Sequence, residues 1–288
     1  RLVAHDVDPL CLGRAAALGA DTAPSPEAVA ARADVVLLVL PGPAQVEAVV
    51  AGAGGLLAGA QPGQIIVDMS TVDPDTTRRL GAAAEKAGVG YLDAPILGRP
   101  SAAGRWVLPV GGDAEALARC RPVLEALAVK VVHVGPLGAG HTVKLLNSLM
   151  FSAINAVTAE TMVLCAKVGL SPWVFFETVA ASNAATVSGL FREVGAKIVA
   201  RDFEPVFSVD LLCKDNGLAI AMARAGGATP IVAGVVQVVN ELARAQGFGG
   251  EDSSALAKVY EALLDVTADP ADQAAGRQGH SGRVVGGL

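Results

Sequence analysis

A lysine and two polar side chains stand one helical turn apart in the middle of the sequence. Lys144, in the glycine-containing segment 138–144, is followed at three and four residues by Asn147 and Ser148. In a helix such residues share one face. A lysine whose pKa is lowered by desolvation exchanges a proton with an alcohol or a carbonyl, and a neighbouring amide orients the lysine or the substrate. The same spacing also fits a solvated lysine on a helix between two domains.

The first half of the sequence alternates short apolar runs with Ala-rich segments typical of helices. The runs are 2–5, 35–40, 65–67, 90–92, 106–110 and 129–134, and the helical segments are 9–18, 26–33, 43–57, 74–86 and 114–127. Continuous apolar runs are typical of strands buried on both faces of a parallel sheet. Pro follows Ser25 and Asp73, which are favourable N-cap residues. The pattern predicts an α/β fold, a doubly wound parallel-sheet domain of dinucleotide-binding type over residues 1–136.

The second half has a different character, because no segment after Gly140 is typical of a strand. One long helix is predicted over 141–169, and shorter helices over 172–182, 187–199, 208–225, 230–246 and 253–264. We therefore expect an all-α domain over residues 137–268. Residues 269–288 are rich in Gly, Ala and Arg without periodicity, which predicts a disordered tail.

Polar residues follow the predicted strands, where parallel sheets bind their ligands. Asp6 is placed to accept hydrogen bonds from an adenosine ribose and to repel a 2′-phosphate, which favours NAD over NADP. It also fits a turn with Asp8 and Pro9. Ser70 and Thr71 offer hydroxyls to a nicotinamide ribose or carboxamide, and they fit equally well as caps of the next helix.

The glycine-rich turn G-x-G-x-x-G, which binds the pyrophosphate of a dinucleotide, is not found in the sequence. Gly52 and Gly54 lie beyond a helical pattern, Gly138 and Gly140 follow the last strand, and neither pair has the third glycine. The sequence begins with Arg1 inside a predicted strand. We therefore expect an N-terminally truncated chain, whose first strand and glycine-rich turn preceded Arg1.

Composition excludes several classes of function. The net charge of −6 and pI near 5.2 argue against a nucleic-acid partner, although a few local cations suffice for a small anion. The four cysteines show no C-x-x-C spacing, which argues against a metal site and favours reduced thiols in a cytoplasmic protein. No signal peptide and no continuous apolar run of about 18–20 residues is present, so no membrane segment is predicted.

Four motifs, in this order, resemble the β-hydroxyacid dehydrogenases, which include 3-hydroxyisobutyrate dehydrogenase and tartronate semialdehyde reductase. They are the segments 68–74, 93–98 and 214–219 and, as the most specific, Gly138-x-Gly140-x-x-x-Lys144-x-x-Asn147. The resemblance spans residues 2–264. It implies an NAD-dependent oxidoreductase, with NADP not excluded, that transfers a hydride between the nicotinamide and a small anionic β-hydroxy acid or acid semialdehyde. It also implies a homodimer or homotetramer that pairs through the all-α substrate domain.

The resemblance assigns roles by position. Lys144 matches the catalytic lysine, which protonates the carbonyl oxygen in reduction and deprotonates the alcohol in oxidation, and Asn147 matches an asparagine beside it. The positions that correspond to cofactor contacts are Asp6, Leu40, Pro41, Ser70, Thr71 and Lys214. The positions that correspond to substrate contacts are Leu97, Gly98, Arg99, Ser148, Lys214 and Asp215.

Three departures from the family pattern alter the expected substrate. Ser148 replaces a second asparagine, Leu97 replaces a serine that would hold a carboxylate, and Arg99 adds a cation that suits a carboxylate, sulfonate or phosphate. We therefore expect an unusual acid substrate, although Arg99 also fits a surface loop. Two other interpretations stay open: a non-catalytic cofactor-binding or regulatory relative, and an all-α dimerisation module. Phosphogluconate dehydrogenases, with histidine in place of Asn147, and imine reductases, which generally lack the lysine, fit less well.

Overall fold

A computed structural model describes residues 1–182 and 184–268 and divides the chain into two compact units, the first Arg1–Leu146 and the second beginning at Asn147. The strands, all in the first unit, are β1 (Val3–Ala4), β2 (Asp21–Thr22), β3 (Val35–Leu38), β4 (Ile65–Asp68), β5 (Gly90–Asp93), β6 (Trp106–Gly111) and β7 (Ala128–Gly135). Its helices are α1 (Pro9–Ala17), α2 (Pro26–Ala30), α3 (Pro43–Ala51), α4 (Leu56–Gly59), α5 (Pro74–Lys86) and α6 (Ala114–Glu125). The predicted tail, 269–288, lies outside the described residues.

Helix α7 (Ala139–Lys167) begins in the first unit and ends in the second. The remaining helices are α8 (Pro172–Ala181), α9 (Gly189–Ala200), α10 (Val209–Ala225), α11 (Ile231–Ala243) and α12 (Leu256–Leu264). As predicted, the described part of the second unit has no strand. By length and composition α7 also passes as a membrane span, but 50% of its apolar window is buried inside the protein, as in a core helix.

The sheet of the first unit is covered on both faces, which explains its continuous apolar runs. Ile66 of β4 packs into one apolar cluster, and its neighbours Ile65 and Val67 pack into another on the opposite face. Successive side chains of a strand point to opposite faces, so a strand buried on both sides has no polar alternation. The predicted doubly wound parallel-sheet fold is confirmed.

One pairing in the sheet departs from the parallel arrangement. The five-stranded sheet has the order β3-β4-β5-β6-β7, while β1 and β2 form a separate parallel pair. β6 runs antiparallel to β5, with Asp93 opposite Gly111, and all other pairs in the sheet are parallel. Between β5 and β6 the chain forms only a 3₁₀ turn, so it returns without the crossover that a parallel pair requires. Strand β2 was not predicted, because its two residues form no apolar run.

The predicted single helix over 43–57 is wrong. Helix α3 ends at Ala51, and α4 begins at Leu56 after a glycine-containing break. A Cβ on Gly52 would lie 2.3 Å from the Ala48 carbonyl oxygen, and Gly54 has a φ of +70°. The predicted starts of α2 and α5 are confirmed, with Ser25 and Asp73 accepting N–H bonds from the first turns.

The start of helix α7 is docked onto the end of β5 by a buried carboxylate. Asp93 is fully buried; its Oδ1 accepts a 2.7 Å bond from the Gly138 N–H, and its Oδ2 accepts one of 2.7 Å from the His141 N–H. Gly138 has a φ of +94°, and a Cβ on Gly140 would lie 2.5 Å from the Pro109 carbonyl oxygen. Gly138 is therefore required by its backbone conformation, and Gly140 is required by the close approach of the helix to the sheet.

The docking also explains where the two units divide. The predicted boundary lay between residues 136 and 137, whereas the contacts place it inside α7, between Leu146 and Asn147. The first turns of α7 are bonded to the sheet through Asp93, so they group with it. Lys144 consequently belongs to the sheet unit, and Asn147 belongs to the helical unit.

We predict that Asp93→Asn lowers the free energy of unfolding by about 2–3 kcal/mol, because an asparagine NH₂ faces one of the two backbone N–H donors and leaves it without an acceptor. The measurement is a urea titration. Asp113→Asn is the matched control, because Asp113 is an exposed N-cap that accepts from Ala116 N–H and asparagine caps a helix equally well. Equal effects of the two substitutions would contradict the assignment.

Candidate active site

The proposed catalytic lysine is held at the carboxyl end of β5. Lys144 Nζ donates a 2.9 Å hydrogen bond to the carbonyl oxygen of Ile96, and its side chain is partly buried. Ile96 follows Asp93, the last residue of β5, by three positions. Asp93 and Ile96 thus bind successive turns of α7, the first through its carboxylate and the second through its carbonyl.

The segment after Ile96 forms a closed loop with a fixed backbone. The N–H and carbonyl groups of Leu97 exchange bonds of 3.1 and 3.2 Å with those of Val107. Gly98 has a φ of +152°, and a Cβ there would lie 2.6 Å from Trp106 Cδ1. Trp106 Nε1 donates a 2.9 Å bond to the carbonyl oxygen of Arg99. The structure therefore places Leu97, Gly98 and the partly buried Arg99 directly after the residue that Lys144 contacts.

At the positions predicted to contact a cofactor, the ends of β3 and β4 are joined through Ser70. The Leu40 N–H donates a 3.0 Å bond to Ser70 Oγ, and the Ser70 N–H donates a 2.9 Å bond to the buried Asp68 carboxylate. Pro41 is exposed and Thr71 is half-buried. Ser70 thus links the two strand ends through its own hydrogen bonds, whether or not it also contacts a ligand.

Asp6 lies after β1, in the separate two-stranded sheet, and is exposed. Its Oδ1 accepts a 2.8 Å bond from the Asp8 N–H. This is the turn that the sequence offered as the alternative to a ribose contact, and a carboxylate has a second oxygen for a ligand.

The other predicted residues belong to the helical unit. Asn147 is exposed and Ser148 is buried, three and four residues after Lys144 on α7. On α10, Lys214 Nζ lies 3.0 Å from Oδ1 of Asp215, whose side chain is buried. Within the units, the structure brings together Lys144 with the 96–99 segment, Leu40 with Ser70, and Lys214 with Asp215.

Sequence reasoning assigned no role to several buried polar residues around α7. Asp93, His141 and Thr77 are fully buried, and Thr77 Oγ1 lies 2.7 Å from His141 Nδ1. Burial raises the pKa of the Asp93 carboxyl, whereas the nearby His141 and the Gly138 and His141 N–H groups act in the opposite direction. The available signals were an aspartate at a strand end and a histidine inside the Gly-x-Gly-x-x-x-Lys segment, but neither identifies its partner.

A second buried acid lies beside Asp93. Asp68 pairs with Asp93 in the β4–β5 register, and the Tyr91 hydroxyl donates a 3.3 Å bond to Asp68 Oδ2. Burial, followed by the charge of Asp68, raises the pKa of the Tyr91 hydroxyl above its usual range, so Tyr91 stays protonated as a donor.

Comparison with known proteins accounts for both units. A family model described as the NAD binding domain of 6-phosphogluconate dehydrogenase matches residues 1–135. A second model, described as the NAD-binding of NADP-dependent 3-hydroxyisobutyrate dehydrogenase, matches residues 138–260. The two matches together cover nearly all described residues.

Individual relatives match over most of their length. The chain is 34% identical to 2-(hydroxymethyl)glutarate dehydrogenase from Eubacterium barkeri over 253 residues, which is 87% of this chain and 84% of that one. It is 32% identical to 3-sulfolactaldehyde reductase from Escherichia coli, with the same coverage of 87% and 84%. The structure of 3-hydroxyisobutyrate dehydrogenase from Salmonella typhimurium superposes with a TM-score of 0.82 at 29% identity, covering 89% of this chain and 90% of that one. The chain therefore belongs to the β-hydroxyacid dehydrogenase family of NAD(P)-binding proteins.

Proposed function

We propose that the protein transfers a hydride between a nicotinamide cofactor and a small β-hydroxy acid or its semialdehyde, with Lys144 as general acid and base. The observation that carries this proposal is the bond from Lys144 Nζ to the Ile96 carbonyl, which fixes an amine at the carboxyl edge of the sheet. Relatives at 34% and 32% identity are named for the oxidation of a hydroxy acid and the reduction of an aldehyde, which supports an enzyme over a non-catalytic or purely structural relative.

The residues at the sheet edge fit a nicotinamide cofactor. We infer that Leu40, Pro41, Ser70 and Thr71 contact its nicotinamide half, because they follow two adjacent parallel strands and include the exposed Pro41 and the half-buried Thr71. Asp6 would accept from the adenosine ribose and favour NAD, with NADP not excluded, and Lys214 would contact the cofactor from α10. The bound nicotinamide supplies or accepts the hydride.

Lys144 moves the proton. In reduction its ammonium donates a proton to the carbonyl oxygen of the substrate as negative charge develops there, and in oxidation the neutral amine removes the alcohol proton. The Ile96 carbonyl fixes the position of Nζ throughout. By their positions in the family pattern, Asn147 would orient the lysine or the substrate, and Lys214 and Asp215 would contact the substrate.

The acid group of the substrate is assigned to the loop after Ile96. The Gly98 backbone and the Arg99 guanidinium anchor it, because a planar guanidinium binds a carboxylate or sulfonate through two parallel hydrogen bonds. The Trp106 indole N–H donates to the backbone carbonyl oxygen of Arg99 and so fixes the backbone from which the guanidinium side chain extends. Leu97 precedes Gly98 and Ser148 follows Asn147, and we expect both to restrict which acids bind.

An apolar face on the helical unit supports a homodimer, or a homotetramer built from such dimers. Residues at helical spacing on α11 are exposed although they are apolar: Ile231, Val235, Val238 and Leu242. Beside them lies an apolar groove of about 330 Å³, lined by residues of α7, α11 and α12.

The four cysteines are free thiols, which fits a cytoplasmic protein.

We predict that Lys144→Ala lowers kcat by about 10²- to 10⁴-fold, the range for loss of a general acid or base, while NADH binding changes little. Turnover is followed by NADH absorbance with a panel of acid semialdehydes, and binding by NADH fluorescence. A Lys144→Ala variant that retains more than a tenth of the wild-type kcat would exclude the lysine as the proton donor.

We predict that Arg99→Gln raises KM for the acid substrate about 10- to 100-fold with a smaller change in kcat, because a guanidinium–anion pair binds ground and transition states alike. Arg105→Gln, an exposed arginine in the same loop, is the control and should leave KM unchanged. Carboxylated, sulfonated and phosphorylated semialdehydes are compared in parallel. An equal loss for an uncharged aldehyde would rule out anion recognition by Arg99.

We predict that Val235→Asp converts the oligomer to a monomer, because it introduces a charge into the exposed apolar face of α11. The measurement is the molar mass by light scattering after size-exclusion chromatography. Glu177→Asp, on α8, is the control. An unchanged mass for Val235→Asp would place the subunit interface elsewhere.

A further inference from the structure

We propose that His141 is a positioning residue that holds the lysine-bearing helix in register with the cofactor-facing ends of β3 and β4. The inference rests on the proposed function, since it concerns the same site. His141 is fully buried in the first turn of α7, three residues before Lys144. We therefore expect it to act through the residues it contacts and not by binding a ligand.

His141 is hydrogen-bonded to the ends of two neighbouring strands, to Asp93 at the end of β5 and to Ser70 after β4. Its backbone N–H donates to Asp93 Oδ2 at 2.7 Å, while its ring Nε2 lies 3.2 Å from the backbone carbonyl oxygen of Ser70. Two attachments on different sides of one residue fix the rotation of the helix about its own axis. The direction in which Lys144 leaves the helix is therefore tied to the position of Ser70.

Ser70 passes this constraint to the second strand end. Its Oγ accepts the 3.0 Å bond from the Leu40 N–H, so His141, Ser70 and Leu40 form a continuous hydrogen-bonded chain. Thr71 and Pro41 are the next residues after the two strand-end members of this chain. The chain therefore runs from the proton-transferring helix to both segments assigned to the nicotinamide.

One partner of His141 requires a proton on a particular ring nitrogen. A carbonyl oxygen only accepts, so the bond to Ser70 requires the proton on Nε2. Nδ1, on the other side of the ring, lies 2.7 Å from the Thr77 hydroxyl oxygen. That hydroxyl also donates a 3.0 Å bond to the Asp73 carbonyl oxygen, which accepts from the Thr77 N–H as well. The ring therefore joins the Ser70 backbone on one side to the Thr77 side chain on the other.

Two substitutions separate the two ends of the ring. The amide nitrogen of a glutamine occupies nearly the place of Nε2, so His141→Gln keeps a donor for the Ser70 carbonyl and loses the bond to Thr77. An asparagine reaches only the place of Nδ1, so His141→Asn keeps a partner for Thr77 and loses the bond to Ser70. Thr142→Val is the control, because it removes a bond from the same turn, Thr142 Oγ1 to the Gly138 carbonyl at 2.8 Å, without affecting Ser70.

The experiment measures the dissociation constant of NADH by fluorescence and the amide hydrogen exchange of segments 39–41 and 70–72 in the protein without ligand. We expect His141→Asn to raise the NADH dissociation constant about five- to tenfold, the effect of one lost buried hydrogen bond, and to speed exchange in both segments. The NADH dissociation constants of His141→Gln and of Thr142→Val should each stay within about twofold of the wild-type value.

Equal behaviour of His141→Asn and His141→Gln, whether both are impaired or neither is, would overturn the positioning role. Failure of the proposed function has a different signature: a wild-type protein that binds NADH but turns over no acid substrate. The exchange measurement requires neither cofactor nor turnover, so it decides the role of His141 even if the wild type binds no NADH.

Discussion

The bond between the Asp93 carboxylate and the start of α7 is the constraint on which the rest of the site depends. The first N–H groups of a helix have no partners within the helix, and a buried helix start must find them elsewhere. Asp93 supplies both acceptors, and its negative charge also suits the positive end of the helix dipole. Because Asp93 ends β5, the helix is fixed at the edge of the sheet where its ligands are expected, and Lys144 follows one turn later.

Several polar side chains are buried around the start of α7, and each of them has a hydrogen-bond partner. Asp68, Ser70, Thr77 and His141 are buried and hydrogen-bonded to one another's segments or to Tyr91. A satisfied network of this kind has few alternative arrangements, since any shift leaves a buried polar atom without a partner. Rigidity of this sort is what proton transfer requires, because a proton donor must be held within hydrogen-bonding distance of the oxygen it serves.

The sequence predicted those features that depend on local pattern or on a specific motif. Buried strands such as β4, the caps at Ser25 and Asp73 and the long helix containing Lys144 were all foreseen. The reversal of β6 and the break before Leu56 were not, because they depend on how the chain turns between elements. Nor could spacing identify the partners of His141, since Thr77 and Ser70 are 64 and 71 residues away along the chain.

The contact between Trp106 and the loop that contains Gly98 and Arg99 has an optical consequence. The chain has two tryptophans, and Trp106 lies in the sheet unit while Trp173 lies in the helical unit. The Trp106 indole packs against Gly98 and donates its N–H to the Arg99 carbonyl, so its emission responds to the polarity and motion of the segment that is assigned to the acid group. With Trp173 replaced by phenylalanine, Trp106 would be the single tryptophan of the protein, and its emission would report occupancy of that loop without an added label.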